Sequence, residues 1–170
     1  MKQDAVIAIK CLEKNMNDKK YMNLALKEAQ IAYNNGDVPV GCVIVLNDKV
    51  IAKAHNVRYK KNDALGHAEV VAIQKACKKL NSWILEDATI YVTLEPCLMC
   101  AGAILNARIK RLVYATEEPK FGAIESVINV FDNEKFNHSI EIEKNILKEK
   151  STMLLKTFFK ELRNKKELTK

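Results

Sequence analysis

His67-Ala68-Glu69 and, about thirty residues later, Pro96-Cys97-Leu98-Met99-Cys100 are the residues of this chain best suited to chemistry. One imidazole nitrogen and two thiolates can hold a zinc ion and leave its fourth position to water. Structural zinc is usually closed by four protein ligands, whereas catalytic zinc keeps a position open. Zinc lowers the pKa of bound water to about 7. Glu69, two residues beyond His67, is near enough to move that water's protons as a general acid and base without binding the metal. The pattern therefore points to metal-assisted hydrolysis.

A C-x-x-C pair is a weak signal alone, and H-x-E is weaker. Together, in this order and each opening a helix, they are a strong one. The competing reading is a structural zinc site completed by Cys42, Cys77 or His55. It gives no reason for a glutamate two residues after the histidine.

These residues need elements to position them. Met22, Ala25, Leu26, Ala29, Ala32 and Tyr33 recur at helical spacing. The pattern predicts a helix that starts near Asp18 as N-cap and stops at Gly36. Gly41–Leu46 is a buried strand, Asn47-Asp48 a turn, and Lys49–Ala54 the returning strand. Val57–Gly66 is polar and irregular. A helix over 67–80 opens at His67. A third strand over Ala88–Thr93 leads to Pro96 and a helix over Cys97–Ala107, whose first turn carries both thiols. Free N–H groups at that helix end favour the thiolate. Arg111–Ala115 is a fourth strand, Ser126–Phe131 a short helix and Ser139–Ile142 a fifth strand. Ile146 to Leu162 forms a last amphipathic helix. Alternating strands and helices after an opening hairpin make an α/β layered fold with a mixed sheet. Two helix starts then converge above the strand ends, where open α/β sheets place ligands.

The 170 residues suffice for one domain with a sizeable core. We expect residues 1–16 to be an N-terminal extension, with Met16 a candidate alternative start, and 17–170 to be a single zinc domain ending in a basic helix. The apolar runs are too short to span a membrane, and no signal-peptide pattern is found, so the chain reads as cytoplasmic. Five cysteines, scattered apart from the C-x-x-C pair, favour a metal over disulfides. From Lys144 to Lys170 nine Lys or Arg face three Glu, so six of the seven net positive charges lie there. A basic tail on a nearly neutral body suits a polyanionic partner.

Several stretches carry a resemblance: Val38-Pro39-Val40-Gly41, His67-Ala68-Glu69, Tyr91 to Ala103 with the run Thr93-Leu94-Glu95-Pro96-Cys97, Asn137-His138, and Leu154-Leu155-Lys156-Thr157-Phe158-Phe159. H-x-E with P-C-x-x-C marks the zinc deaminases of nucleobases. Over about residues 18–165 the chain resembles the cytidine-deaminase superfamily, and within it the bacterial tRNA-specific adenosine deaminases. The resemblance implies a three-layer α/β/α fold with a five-stranded mixed sheet, a homodimer, one Zn2+ per subunit, and conversion of the wobble adenosine of a tRNA anticodon to inosine. It makes His67, Cys97 and Cys100 the metal ligands and Glu69 the proton shuttle. Its substrate-binding positions match Asn56, which would read the flipped base, with Ala68, Leu94, Glu118, Lys120, Asn137, His138 and Arg163. Two places depart from the family pattern. Asp63-Ala64-Leu65-Gly66 replaces aspartate-proline-threonine-alanine, and Glu118 stands where aspartate is usual.

Two other functions share part of this signature. A deaminase of a free nucleobase or nucleotide would keep the zinc and Glu69 but has no need of a cationic tail. An inactive RNA-binding module with a structural metal would have no use for Glu69.

Overall fold

The computed structural model describes residues 2–132 and 135–168, and of residues 2–12 and 166 the backbone alone. Along the chain lie α1 (Lys2–Asn34), β1 (Gly41–Leu46), β2 (Lys49–His55), α2 (Arg58–Lys61) and α3 (Ala68–Leu80). Then come β3 (Thr89–Leu94), α4 (Leu98–Asn106), β4 (Arg111–Thr116), β5 (Glu141–Lys144) and α5 (Lys148–Leu168).

The strands form one five-stranded sheet in the order β2-β1-β3-β4-β5. β1 is antiparallel to both β2 and β3, while β3, β4 and β5 run parallel. The β1–β2 turn uses Asn47 and Asp48 with φ of 49° and 58°, the left-handed pair that tight hairpins need.

Alternation along the strands builds two cores, as period-two side chains must. Cys42, Ile44, Ile90, Val92, Leu112 and Tyr114 face α3 and α4, together with Ala72, Ala76 and Ile104. Val43, Val45, Tyr91, Val113 and Ala115 face the other way, onto Tyr21, Met22 and Ala25 of α1. α5 shares the α1 side, where Phe158 meets Tyr33 edge-on at 5.6 Å. The layering is α/β/α, as expected.

Four boundaries differ from the sequence reading. The first helix does not start at Asp18 but runs unbroken from Lys2. No Pro or Gly precedes Gly36, so nothing local stops it. Asp18 is buried and turned away from capping: Arg111 Nη1 and Nη2 donate to it at 2.7 and 2.8 Å, and the Tyr91 hydroxyl at 2.9 Å. Ser126–Phe131 forms turns rather than a helix. The fifth strand lies two residues later than expected, in register with Arg111–Tyr114. The Val57–Gly66 stretch contains the single turn α2. The stop at Gly36 stands: α1 ends at Asn34, and Gly36 takes φ +77°.

Candidate active site and metal centre

His67 and Cys97 are N-caps. Each has extended backbone (φ −77°, ψ 145° and φ −74°, ψ 172°) and is followed at once by α3 or α4. Neither side chain caps its own helix, so both are left for another partner. The parallel register of β3 and β4, which pairs Leu94 with Thr116, sets the Glu95-Pro96-Cys97 segment beside the residues after Thr116. α3 packs on the same sheet face as α4, bringing the two helix starts together.

His67 Nδ1 lies 3.7 Å from Cys97 Sγ and 3.5 Å from Cys100 Sγ. A tetrahedral zinc with bonds of about 2.3 Å to sulfur and about 2.0 Å to nitrogen holds such atoms roughly 3.5 Å apart. All three ligand atoms fall within 4.8 Å of one another. The donor set and its spacing fit one zinc ion. The closed structural site does not form: Cys42 is buried in β1, Cys77 Sγ faces the Trp83 carbonyl, and His55 Nδ1 is 2.9 Å from Glu28. Among the described residues this triad is the only group of three or more His, Cys, Asp or Glu side chains with metal-binding spacing.

Electrostatics follow from burial and contact. A hydrogen bond from Cys100 holds the Cys97 thiol down to about 4, with burial opposing and His67 assisting. The same bond pushes Cys100 up, and burial adds to it. The hydrogen bond to Cys97 raises the His67 imidazole, against burial and the Arg58 charge. Glu69, in the first turn of α3, is 4% exposed. Burial raises its carboxyl to about 7, against its own backbone N–H and His67. A carboxyl poised near neutrality can both accept and return a proton.

Asn56 is buried, and its Oδ1 accepts the Ala68 N–H at 2.9 Å. The side chain thus fixes the start of α3 and leaves its amide NH2 to donate. Ala68 is fully buried and its N–H is taken by this bond. Leu94 is half-buried at the end of β3. Glu118 Oε1 accepts the Lys120 N–H at 2.9 Å, and Lys120 is exposed. Asn137 is exposed, and His138 Nε2 donates to the Ile109 carbonyl at 2.9 Å. Ile109 precedes β4, so within one chain His138 sits at the far end of that strand, about 17 Å of strand from Thr116. Arg163 is exposed on α5, beyond Phe158.

Three features were not read from the sequence. Buried Asp37 receives the Tyr59 and Lys60 N–H groups at 2.8 and 3.3 Å and so fixes α2. α2 carries Arg58, Lys60 and Lys61 with no acid, around a Tyr59 that is 81% exposed. The third is Glu95, buried one residue before Pro96. Its signal was available: a carboxylate ending a run as apolar as Ile90 to Leu94.

Comparison with known proteins bears on this arrangement. The MafB19-like deaminase family model matches residues 16–163. The tRNA-specific adenosine deaminase of Bacillus subtilis (strain 168) is 45% identical over 150 residues, covering 88% of this chain and 93% of that one. The enzyme of the same name from Rickettsia bellii is 48% identical over 84% of this chain and the whole of its own. A structure from work on A-to-I editing by tRNA:A34 deaminases at the wobble position of transfer RNA superposes with a TM-score of 0.77. It is 41% identical and covers 80% of this chain and 99% of its own. A guanine deaminase from Nitrosomonas europaea, 19% identical with a TM-score of 0.68, covers 82% of this chain and 83% of its own and shares the fold. Near-complete coverage of full-length relatives at such identity leaves one assignment: the chain belongs to the MafB19-like deaminases and, among them, to the family of tRNA-specific adenosine deaminases.

Proposed function

We propose that this protein hydrolyses the wobble adenosine of a tRNA anticodon to inosine, with zinc held by His67, Cys97 and Cys100. The observation that carries the reading is the triad itself, spaced for one zinc ion, with the buried Glu69 carboxyl beside it. Bound there, zinc supplies a Lewis acid that makes water nucleophilic at neutral pH. Glu69 would take one proton from the attacking water and pass it to the ring nitrogen, then carry the proton of the newly added hydroxyl to the departing amine, so that adenosine and water give inosine and ammonia. The Asn56 amide NH2, whose Oδ1 holds the start of α3, would donate to the base. Leu94 closes one side of the base site.

RNA fits the charge. The basic α2 lies near enough for the Arg58 charge to act on His67, and α5 carries most of the net positive charge. Anticodon loops present bases that are already splayed, which lowers the cost of extruding one. Glu118, Lys120, Asn137, His138 and Arg163 remain the proposed RNA contacts, with His138 at the end of the sheet opposite the metal ligands. Leu98, Phe121, Val127 and Ile128 are exposed and cluster around Gly122, which pairs with Cys97 and accepts from Val127 and Ile128. That apolar surface suits a second copy, and we read the enzyme as a cytoplasmic homodimer. Among the described residues no helix is long and apolar enough to cross a membrane.

The test compares two substrates. Zinc-loaded protein is incubated with an anticodon stem-loop bearing adenosine at the wobble position, and inosine is measured after digestion. Ammonia release from free adenosine, cytidine and guanine is followed in parallel. We expect inosine in the stem-loop and no ammonia from the free compounds. Activity on the free compounds alone would replace this reading with a small-molecule deaminase.

A further inference from the structure

We infer that Glu95 is a positioning residue that ties the metal-ligand segment to the loop over 117–128, and so sets where Glu118 and Lys120 stand for RNA. The inference rests on the function proposed above.

Glu95 is 2% exposed and follows the last residue of β3. Its N–H donates to the Thr116 carbonyl at 2.8 Å, prolonging the β3–β4 pairing. Its carboxylate then gathers the loop from both ends. Oε2 accepts the Glu118 N–H at 3.0 Å and the Ser126 hydroxyl. Oε1 accepts the N–H groups of Ile124, Glu125 and Ser126 at 3.1, 2.8 and 3.0 Å. Five donors on one buried carboxylate are charge-assisted bonds, each stronger than its neutral counterpart. The stretch 126–131 is not helical because its own N–H groups fold back on the loop, Val127 and Ile128 donating to the Gly122 carbonyl and Val130 to that of Ala123.

The loop has no slack around this hub. A Cβ at Gly122 would fall 2.5 Å from Glu95 Cδ and Oε2 and 2.6 Å from the Glu118 carbonyl. The same loop bonds the ligand segment directly: Ala123 N–H donates to Pro96 O at 2.9 Å, and Gly122 bridges Cys97. On its outer edge stand Glu118, Lys120 and Phe121, the last 71% exposed. One side chain, two residues from a metal ligand, thereby fixes the loop that faces substrate. A glutamine at 95 has one acceptor oxygen and an NH2. With the NH2 on the Oε2 side the Glu118 N–H loses its acceptor while the Ser126 hydroxyl can turn to accept, and with it on the Oε1 side the N–H groups of 124–126 all lose theirs.

Glu95→Gln and Ser126→Ala are compared with wild type for zinc content, amide hydrogen exchange, stem-loop Kd by anisotropy, and kcat and KM for inosine formation. In E95Q we expect one zinc per chain, amides of 118 and 124–126 exchanging more than tenfold faster, and unchanged exchange across α3. Kd and KM should rise about tenfold, with kcat within about threefold. S126A, which removes one donor, should shift the same quantities less. A merely structural role would lower thermal stability and leave Kd and KM of the folded fraction alone. Wild-type Kd in zinc-loaded E95Q overturns the inference, as does parallel loss of zinc and kcat at constant KM. Should E95Q not fold, wild-type Kd and loop exchange in S126A overturn it. A wild-type protein that binds the stem-loop without making inosine removes the deaminase reading, and the Kd comparison still decides the role of Glu95.

Discussion

At the scale of single residues, position along a helix sorts the chemistry. His67 and Cys97 occupy N-caps, where the backbone is extended and the side chain projects back over the helix start. Glu69 and Cys100 sit within the first turns of α3 and α4, where burial is nearly complete. In the proposed mechanism, ligands at the caps and a buried acid behind them would separate metal binding from proton transfer. Glu69→Gln preserves shape and hydrogen bonding but cannot carry a proton. We expect it to retain one zinc per chain and to lose at least about 10³-fold in kcat, near the upper range for general acid–base work. Metal analysis beside a single-turnover assay checks this; wild-type turnover would remove Glu69 from the mechanism. Asn56 shows how a residue can be legible in part. Its matching position implies base recognition, while its place as the acceptor of the Ala68 N–H depends on how β2 meets α3.

At the scale of elements, α1 is the largest departure from the sequence reading. Thirty-three helical residues span about 50 Å, and the helix passes through Asp18 because a distant arginine claims that side chain. Arg111 and Asp18 are both nearly buried, with Tyr91 donating to the same carboxylate. Burial, with Asp18 beside it, pushes the Tyr91 hydroxyl above its ordinary range. Removing one member of a buried pair leaves the other charge unmatched, at a cost of about 3–5 kcal/mol. Arg111 keeps Glu141 at 3.2 Å and Glu143 at 3.6 Å, both half-exposed, which places Asp18→Asn near 3 kcal/mol, roughly the low end of that range. Urea unfolding measures the loss. Zinc content should not change, because the pair lies at the opposite end of the sheet from the ligands. The fifth strand teaches the same lesson. Alternation in Ser139–Ile142 suggested its place, but its register is set by Arg111 pairing with Glu141.

At the scale of the whole molecule, one terminal segment carries most of the net charge. The triad lies where β3 and β4 end, while six of seven net positive charges lie from Lys144 onward. Long-range attraction for a polyanion then comes mainly from that segment, with Arg58, Lys60 and Lys61 of α2 adding to it beside His67. Deleting Asn164–Lys170 removes three lysines and one glutamate. We expect tRNA affinity at low salt to fall about tenfold, and the slope of log K against log salt to shrink by up to about 2, given about 0.7 per phosphate contact on single strands. Zinc content should stay at one per chain. Unchanged affinity at low salt would mean the tail is only a solvated helix face.

The proposed metal ligands, the proposed proton carrier and the order of most elements were written in the sequence, because short-range chemistry enforces them. Two thiols one helical turn apart, a glutamate two residues from a histidine, and period-two strands all declare themselves within a few residues. The course of α1 past Asp18, the loop in place of a helix at 126–131, and the gathering of that loop by Glu95 were decided only in three dimensions. Each depends on a partner far along the chain: Arg111 is 93 residues from Asp18, and Ser126 is 31 from Glu95. A buried charge takes whichever donors the fold delivers to it, and local spacing does not encode which those are.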